Sequence, residues 1–244
     1  MERQGAAALA SRAYWAAREA EPAVRAQVYR ARREAFVARL RALAAWYRVP
    51  LELDVAPDVR LGRHLTVELT PGVPSRVVLE SQAHLGDYVQ LLLRGGSVHL
   101  AALAAVRHHG VLSISGDLAM APEATLGWYG AIHCAERVQI GARAGFADRV
   151  TLSDCSHFFT EPDVWWYHNT ATAPLIIGAN TWTASNSVVT KGVTIGDYSI
   201  TAAGSVVVKD VPPGHFASGV PARNKKMTLP WEKALAAARA GSAA

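Results

Sequence analysis

The sequence predicts a mainly β fold, a parallel β-helix with α-helices before it and a short C-terminal helix after it. Three observations predict it: a six-residue repeat between residues 177 and 212, short Val/Leu/Ile-rich segments broken by Gly, Asp and Pro from Leu51 onward, and an Ala- and Arg-rich first fifth. At 244 residues, 50% apolar and 18% charged, the chain can bury a core and can be a single elongated β domain.

Residues 1–50 read as helical, with Pro22 opening a second helix in its first turn and Pro50 closing it. Tyr29, Phe36, Leu40, Leu43 and Tyr47 fall on one face, which predicts packing on the main domain or a neighbouring subunit. The alternative is peripheral membrane contact, with Arg30, Arg32, Arg33, Arg39 and Arg41 on the wet side. The net charge of +5 comes from this segment, which carries ten Arg against four Glu, so the body offers no basic surface for coating nucleic acid. Charges interrupt its alanines, and no segment approaches 18 uncharged apolar residues, so neither a secretion signal nor a membrane span is expected. Cys134 and Cys155 lack CxxC spacing, which speaks against a disulfide framework or a cysteine zinc site and fits a cytoplasmic location.

The β body is expected over 51–226, with a loop at 158–176, followed by a C-terminal helix or tail at 227–244 that includes PWEKALAAARA. In sixes the chain reads IGANTW, TASNSV, VTKGVT, IGDYSI, TAAGSV and VVKDVP, opening at Ile177, Thr183, Val189, Ile195, Thr201 and Val207. Each block starts with an aliphatic or β-branched residue, and most have a small residue in fifth place. A strand and a tight turn per block gives a three-sided coil, in which residues eighteen apart stack: Ile177 on Ile195, Thr183 on Thr201, Val189 on Val207. The same frame recurs at Ile140, Phe146 and Leu152, approached through blocks opening at Trp128 and Cys134. Upstream of about Gly110 the period decays.

The stretch IIGANTWTASNSVVTKGVTIGDYSITAAGSVVVKDVPPGHFASGVPARNKK, residues 176–226, resembles the closing pattern of the hexapeptide-repeat acyltransferases, the family of galactoside, maltose and capsular-sugar O-acetyltransferases. The resemblance implies a left-handed parallel β-helix, an acyl-coenzyme A co-substrate without a metal, a hydroxyl-bearing sugar or glycoside acceptor, and a homotrimer. Thr183, Ala184, Thr201 and Ala202 stand where Ile and Gly are common in that pattern. The Ala/Arg-rich N-terminus and Trp-Trp loop are similar to the mycobacterial octanoyltransferases of methylglucose lipopolysaccharide synthesis, so the acyl group is left open between acetyl and a medium chain such as octanoyl.

The family's general base is a His at the end of a repeat, just before the main interruption. VTLSDCSHFF places His157 there. A group titrating near neutrality suits removal of a hydroxyl proton. Asp154 is a candidate to orient its ring, or equally to cap a turn. His133, four hexapeptides earlier, is a substrate-near candidate on another side of the triangle. In the loop, Trp165 and Trp166 suit a sugar ring or alkyl chain, and His168 is a reserve for the acceptor. For the donor, the resemblance assigns Trp182, Ser185 and Ala203 to the pantetheine arm, the last two mainly through backbone atoms. Lys209, Arg223 and Lys226 go to the phosphates, and Val208 replaces a Thr common before that Lys. Two alternatives are a non-catalytic β-helix scaffold and a zinc hydratase resembling the γ-class carbonic anhydrases; the latter would need three clustered His, whereas His133, His157 and His168 lie 24 and 11 apart.

Overall fold

The computed structural model describes residues 22–160, 169–228 and 232. The expected first N-terminal helix and, apart from Glu232, the C-terminal helix lie outside the described residues, as do Trp165, Trp166 and His168.

One helix, α1 (Pro22–Tyr47), precedes three parallel sheets that form the sides of a β-helix. The first side stacks β1 (Leu51–Val55), β4 (Ser75–Leu79), β7 (Gly96–Leu100), β10 (Asp117–Met120), β13 (Arg137–Ile140), β18 (Leu175–Ile177) and β21 (Thr194–Ile195). The second stacks β2 (Arg60–Leu61), β5 (His84–Leu85), β8 (Ala105–Val106), β11 (Thr125–Leu126), β14 (Gly145–Phe146), β19 (Trp182–Thr183) and β22 (Ile200–Thr201), then β24 (His215–Gly219) and the antiparallel β25 (Ala222–Lys226). The third stacks β3 (Thr66–Leu69), β6 (Gln90–Leu93), β9 (Val111–Ile114), β12 (Ala131–Cys134), β15 (Thr151–Ser153), β20 (Val188–Val189) and β23 (Val206–Val207). Each strand hydrogen-bonds to its counterpart in the next coil. The expected stacks are present: Ile177 pairs with Ile195, Thr183 with Thr201 and Val189 with Val207. The architecture is the expected parallel β-helix, seven coils tall.

The coil extends upstream to Leu51, well beyond the point where the sixfold period fades in the sequence. The buried residues explain why. In the fourth coil Met120, Leu126 and Ile132 are six apart, and Ile140 follows after eight. Leu100, Val106, Leu112 and Met120 repeat the same steps. Leu79, Leu85 and Leu91 also keep the six, with a longer step to Leu100, as do Val55, Leu61 and Val67 before Leu79. Every coil thus keeps two hexapeptides, and all the irregularity falls at one corner, between the third side and the first. The blocks opening at Trp128 and Cys134 were therefore out of phase: the true inward openers are Leu126 and Ile132, and Trp128 is exposed.

The other two corners turn tightly through residues in the left-handed region. Between the second and third sides stand His64, Tyr88, His109 and Tyr129, with φ between 56° and 61°. That conformation is costly for bulky residues. Here the rings stack coil upon coil, with centroids 4.8, 4.9 and 4.6 Å apart, and the stacking offsets part of the cost.

α1 closes the N-terminal end. Phe36 and Leu40 are buried against the first coil, as the helical spacing predicted. The first coil has no strand below it, so its outermost carbonyls need other donors. Arg33 donates through Nε to Ala56 O at 2.9 Å and through a terminal nitrogen to Val55 O; Arg32 and Arg39 donate to Leu61 O and Leu65 O at 3.3 and 3.0 Å. Three of the five arginines expected on a wet face are thus turned onto the β-helix. Among the described residues no helix is long and apolar enough to cross a membrane.

Candidate active site

The irregular corner is where the fifth coil departs most. β15 ends at Ser153, and the chain leaves as an antiparallel hairpin, β16 (Cys155–His157) with β17 (Thr170–Thr172), in which His157 lies opposite Thr170. It rejoins the first side at Leu175, two residues before the expected Ile177, so β17 and the start of β18 fall inside the predicted loop. His157 is exposed on this hairpin, followed by exposed Phe158 and Phe159.

Asp154 sits at the root of the hairpin and is fully buried. Its carboxylate accepts the backbone N–H groups of Ala135, Glu136 and Arg137 at 2.7, 2.8 and 2.7 Å. A buried carboxylate is tolerable only when it is hydrogen-bonded, and three charge-assisted bonds hold this one. Of the two roles expected for Asp154, the hydrogen bonds show the cap: it closes the corner of the preceding coil. Beside it, burial first and then the Asp154 charge push the Cys134 thiol up to about 12, which keeps it protonated and inert.

His133 is exposed on β12, in register with Ser153. It thus lies on the third side, the side from which the hairpin leaves, and not on another side as a strict eighteen-residue coil implied. The coil here has twenty residues, Ile132 standing below Leu152.

The donor candidates lie elsewhere on the prism. Trp182 projects from the second side, half exposed, with Gly145 beneath it and Ile200 above. A Cβ at Gly145 would lie 2.8 Å from the indole, so the glycine is what lets the ring lie on the strand below. Sequence reasoning missed Gly145 because the excursion separates the two residues by 37 positions. Ser185 and Ala203 follow Trp182 and Ile200 towards the next corner, where Ser185 O accepts the Gly204 N–H at 2.9 Å. Lys209 is exposed at the third-to-first corner of the last complete coil, and Arg223 and Lys226 are exposed on β25. Asn224 ties that strand to the Lys209 turn by donating to Asp210 O at 2.7 Å. In a triangular coil the second side is opposite the corner that carries His157. One chain therefore does not bring Trp182 and His157 together.

The match that bears on these coils is short and well placed. Residues 174–209 match the bacterial transferase hexapeptide model, six repeats. No curated protein matches the chain by sequence. Among solved structures, the chain is similar to AntD, an N-acyltransferase from Bacillus cereus in complex with dTDP and 3-hydroxybutyryl-CoA, at 17% identity and a TM-score of 0.49, covering 78% of this chain and 91% of that one. It is also similar to the polySia-specific acetyltransferase NeuO, at 19% identity and 0.41, covering 72% and 86%. A maltose O-acetyltransferase from Clostridium difficile 630 aligns at 22% identity and 0.38, covering 62% and 69%. Among the described residues no cluster of three or more His, Cys, Asp or Glu is arranged to hold a metal ion.

Proposed function

We propose that the protein is an acyl-coenzyme A-dependent O-acyltransferase that moves an acetyl or medium-chain group onto a hydroxyl of a sugar or glycoside. The observation that carries this reading is that the transferase hexapeptide match covers Trp182, Ser185, Ala203 and Lys209, the residues that form an exposed aromatic ledge, a turn with backbone groups and a cation on successive coils. In the reaction the acceptor O–H gives its proton to His157 as its oxygen attacks the thioester carbonyl. The C–S bond then breaks, and the departing thiolate takes up a proton to leave as free coenzyme A. Exposed Phe158 and Phe159 next to the base favour an apolar acyl group over acetyl.

Because Trp182 and His157 face away from each other in one chain, the donor surface of one subunit serves the His157 of the next in a cyclic homotrimer of the cytoplasm. Incubation with acetyl-, butyryl- and octanoyl-coenzyme A plus a panel of glycosides, followed by free thiol release, tests the reading. We expect acceptor-dependent turnover that falls by about 10²–10⁴ in His157→Asn with coenzyme A affinity retained, since Asn keeps the reach of the side chain but cannot take the proton. Coenzyme A binding with no turnover on any acceptor would instead favour a scaffold.

A further inference from the structure

The first side carries a second arrangement of polar groups that the acyl-transfer reading does not use. Val78, His99, Ala119, Gln139 and Ile176 form one outward row across successive coils. Ala119 offers only a methyl group, so the row has a notch between His99 and Gln139. With Ala121 at the adjoining corner, the notch opens into a groove of about 580 Å³, within the size range of small-molecule sites. At one end, His99 Nε2 lies 2.7 Å from Glu80 Oε1, and the other carboxylate oxygen accepts the Ala102 N–H at 3.0 Å. Glu80 is thereby fixed by the backbone. With Nε2 engaged by Glu80, Nδ1 is the ring nitrogen left to hydrogen-bond a ligand.

We propose that this groove is a binding site for a neutral amphiphile, a hydroxylated head group with an alkyl chain, of the alkyl-glycoside class. The dyad and the Gln139 amide supply hydrogen bonds to hydroxyls. Ala119, Ala121 and Ile176 supply the surface for the chain. No Lys or Arg lines the groove, and Glu80 is acidic, so a fatty acid or a phosphate would enter against the local charge. The site lies at the first side, independent of the His157 reading.

Titrating the full chain with octyl glucoside below its critical micelle concentration, by calorimetry, tests this. We expect saturable binding at one site per chain, with glucose alone and octanoate each binding about tenfold weaker or less. Ala119→Leu fills the notch on an outward position without touching the core, and should raise Kd about tenfold. His99→Phe keeps a ring but no nitrogen, and should raise it about threefold to tenfold. Ala119→Leu should leave acyl transfer to a short glycoside unchanged while it weakens octyl glucoside binding, which separates this site from the proposed reaction. Absence of saturation, or an unchanged Kd in an Ala119→Leu protein that melts like the parent, would overturn the proposal.

Discussion

Thr183 and Thr201 face inward in adjacent coils at positions where most other openers are aliphatic, and neither buried hydroxyl has a hydrogen-bond partner among the described residues. A hydroxyl that leaves water without gaining a partner costs about 1–3 kcal/mol on mutational scales. Thr201→Val, nearly isosteric, should therefore stabilise the protein by about 1 kcal/mol, read as a higher urea midpoint with unchanged slope. A second residue makes stability depend on acid. Burial, with Arg60 and Arg107 adding to it, pulls the His84 pKa down from 6.5 to about 4. Between those values the unfolded chain holds a proton there that the folded chain refuses, so stability is lost as the pH falls through that window. His84→Gln, which cannot titrate, should flatten the loss between pH 6.5 and 4 in urea melts taken across that range. An acid limb unchanged in the variant would assign the sensitivity to other groups.

Arg33 shows how an element can be misread when only its own pattern is considered. From α1 alone, five arginines opposite an apolar stripe look like a wet face. The carbonyls of Val55 and Ala56 that receive Arg33 belong to β1 and the turn after it, and no helical periodicity reveals them. Arg33→Leu should cost about 1–3 kcal/mol, because it leaves these carbonyls without their charged donor, and amide exchange should rise first in β1 and α1. The coils were legible to the extent that their corners were uniform. From Ile177 to Val207 every step is six, so fold and register could be read directly. Upstream, two sixes per coil persist in Leu79, Leu85 and Leu91 or Leu100, Val106 and Leu112, but the longer third step breaks any fixed-period count. The same corner hid Asp154: its three N–H partners lie one coil back, 17 to 19 residues away. That His157 borders the largest such break was legible, whereas Gly145 gave no local signal for the Trp182 it accommodates.

At the scale of the whole molecule, the prism separates what one chain can do from what several can do together. His157 leaves from a corner, and Trp182 projects from the opposite side, so in one subunit the proposed base and the proposed donor surface stand apart. In the cyclic trimer proposed above, the corner of one prism would stand against the side of the next, and each of the three interfaces would pair one His157 with a neighbour's Trp182. This arrangement makes a prediction that neither variant gives by itself. On that proposal, His157→Ala and Trp182→Ala subunits should each form trimers with little activity, one lacking the proposed base and the other the proposed donor ledge. If the two are denatured together in equal amounts and refolded, a given interface receives an intact His157 half the time and an intact Trp182 half the time. About a quarter of the interfaces should then be complete, and acyl transfer should recover to about a quarter of the parental rate. Mixing the folded trimers without exchange should recover nothing. If both half-sites were instead supplied by one chain, every subunit in the mixture would still carry a defect, and activity would stay at the level of the separate variants.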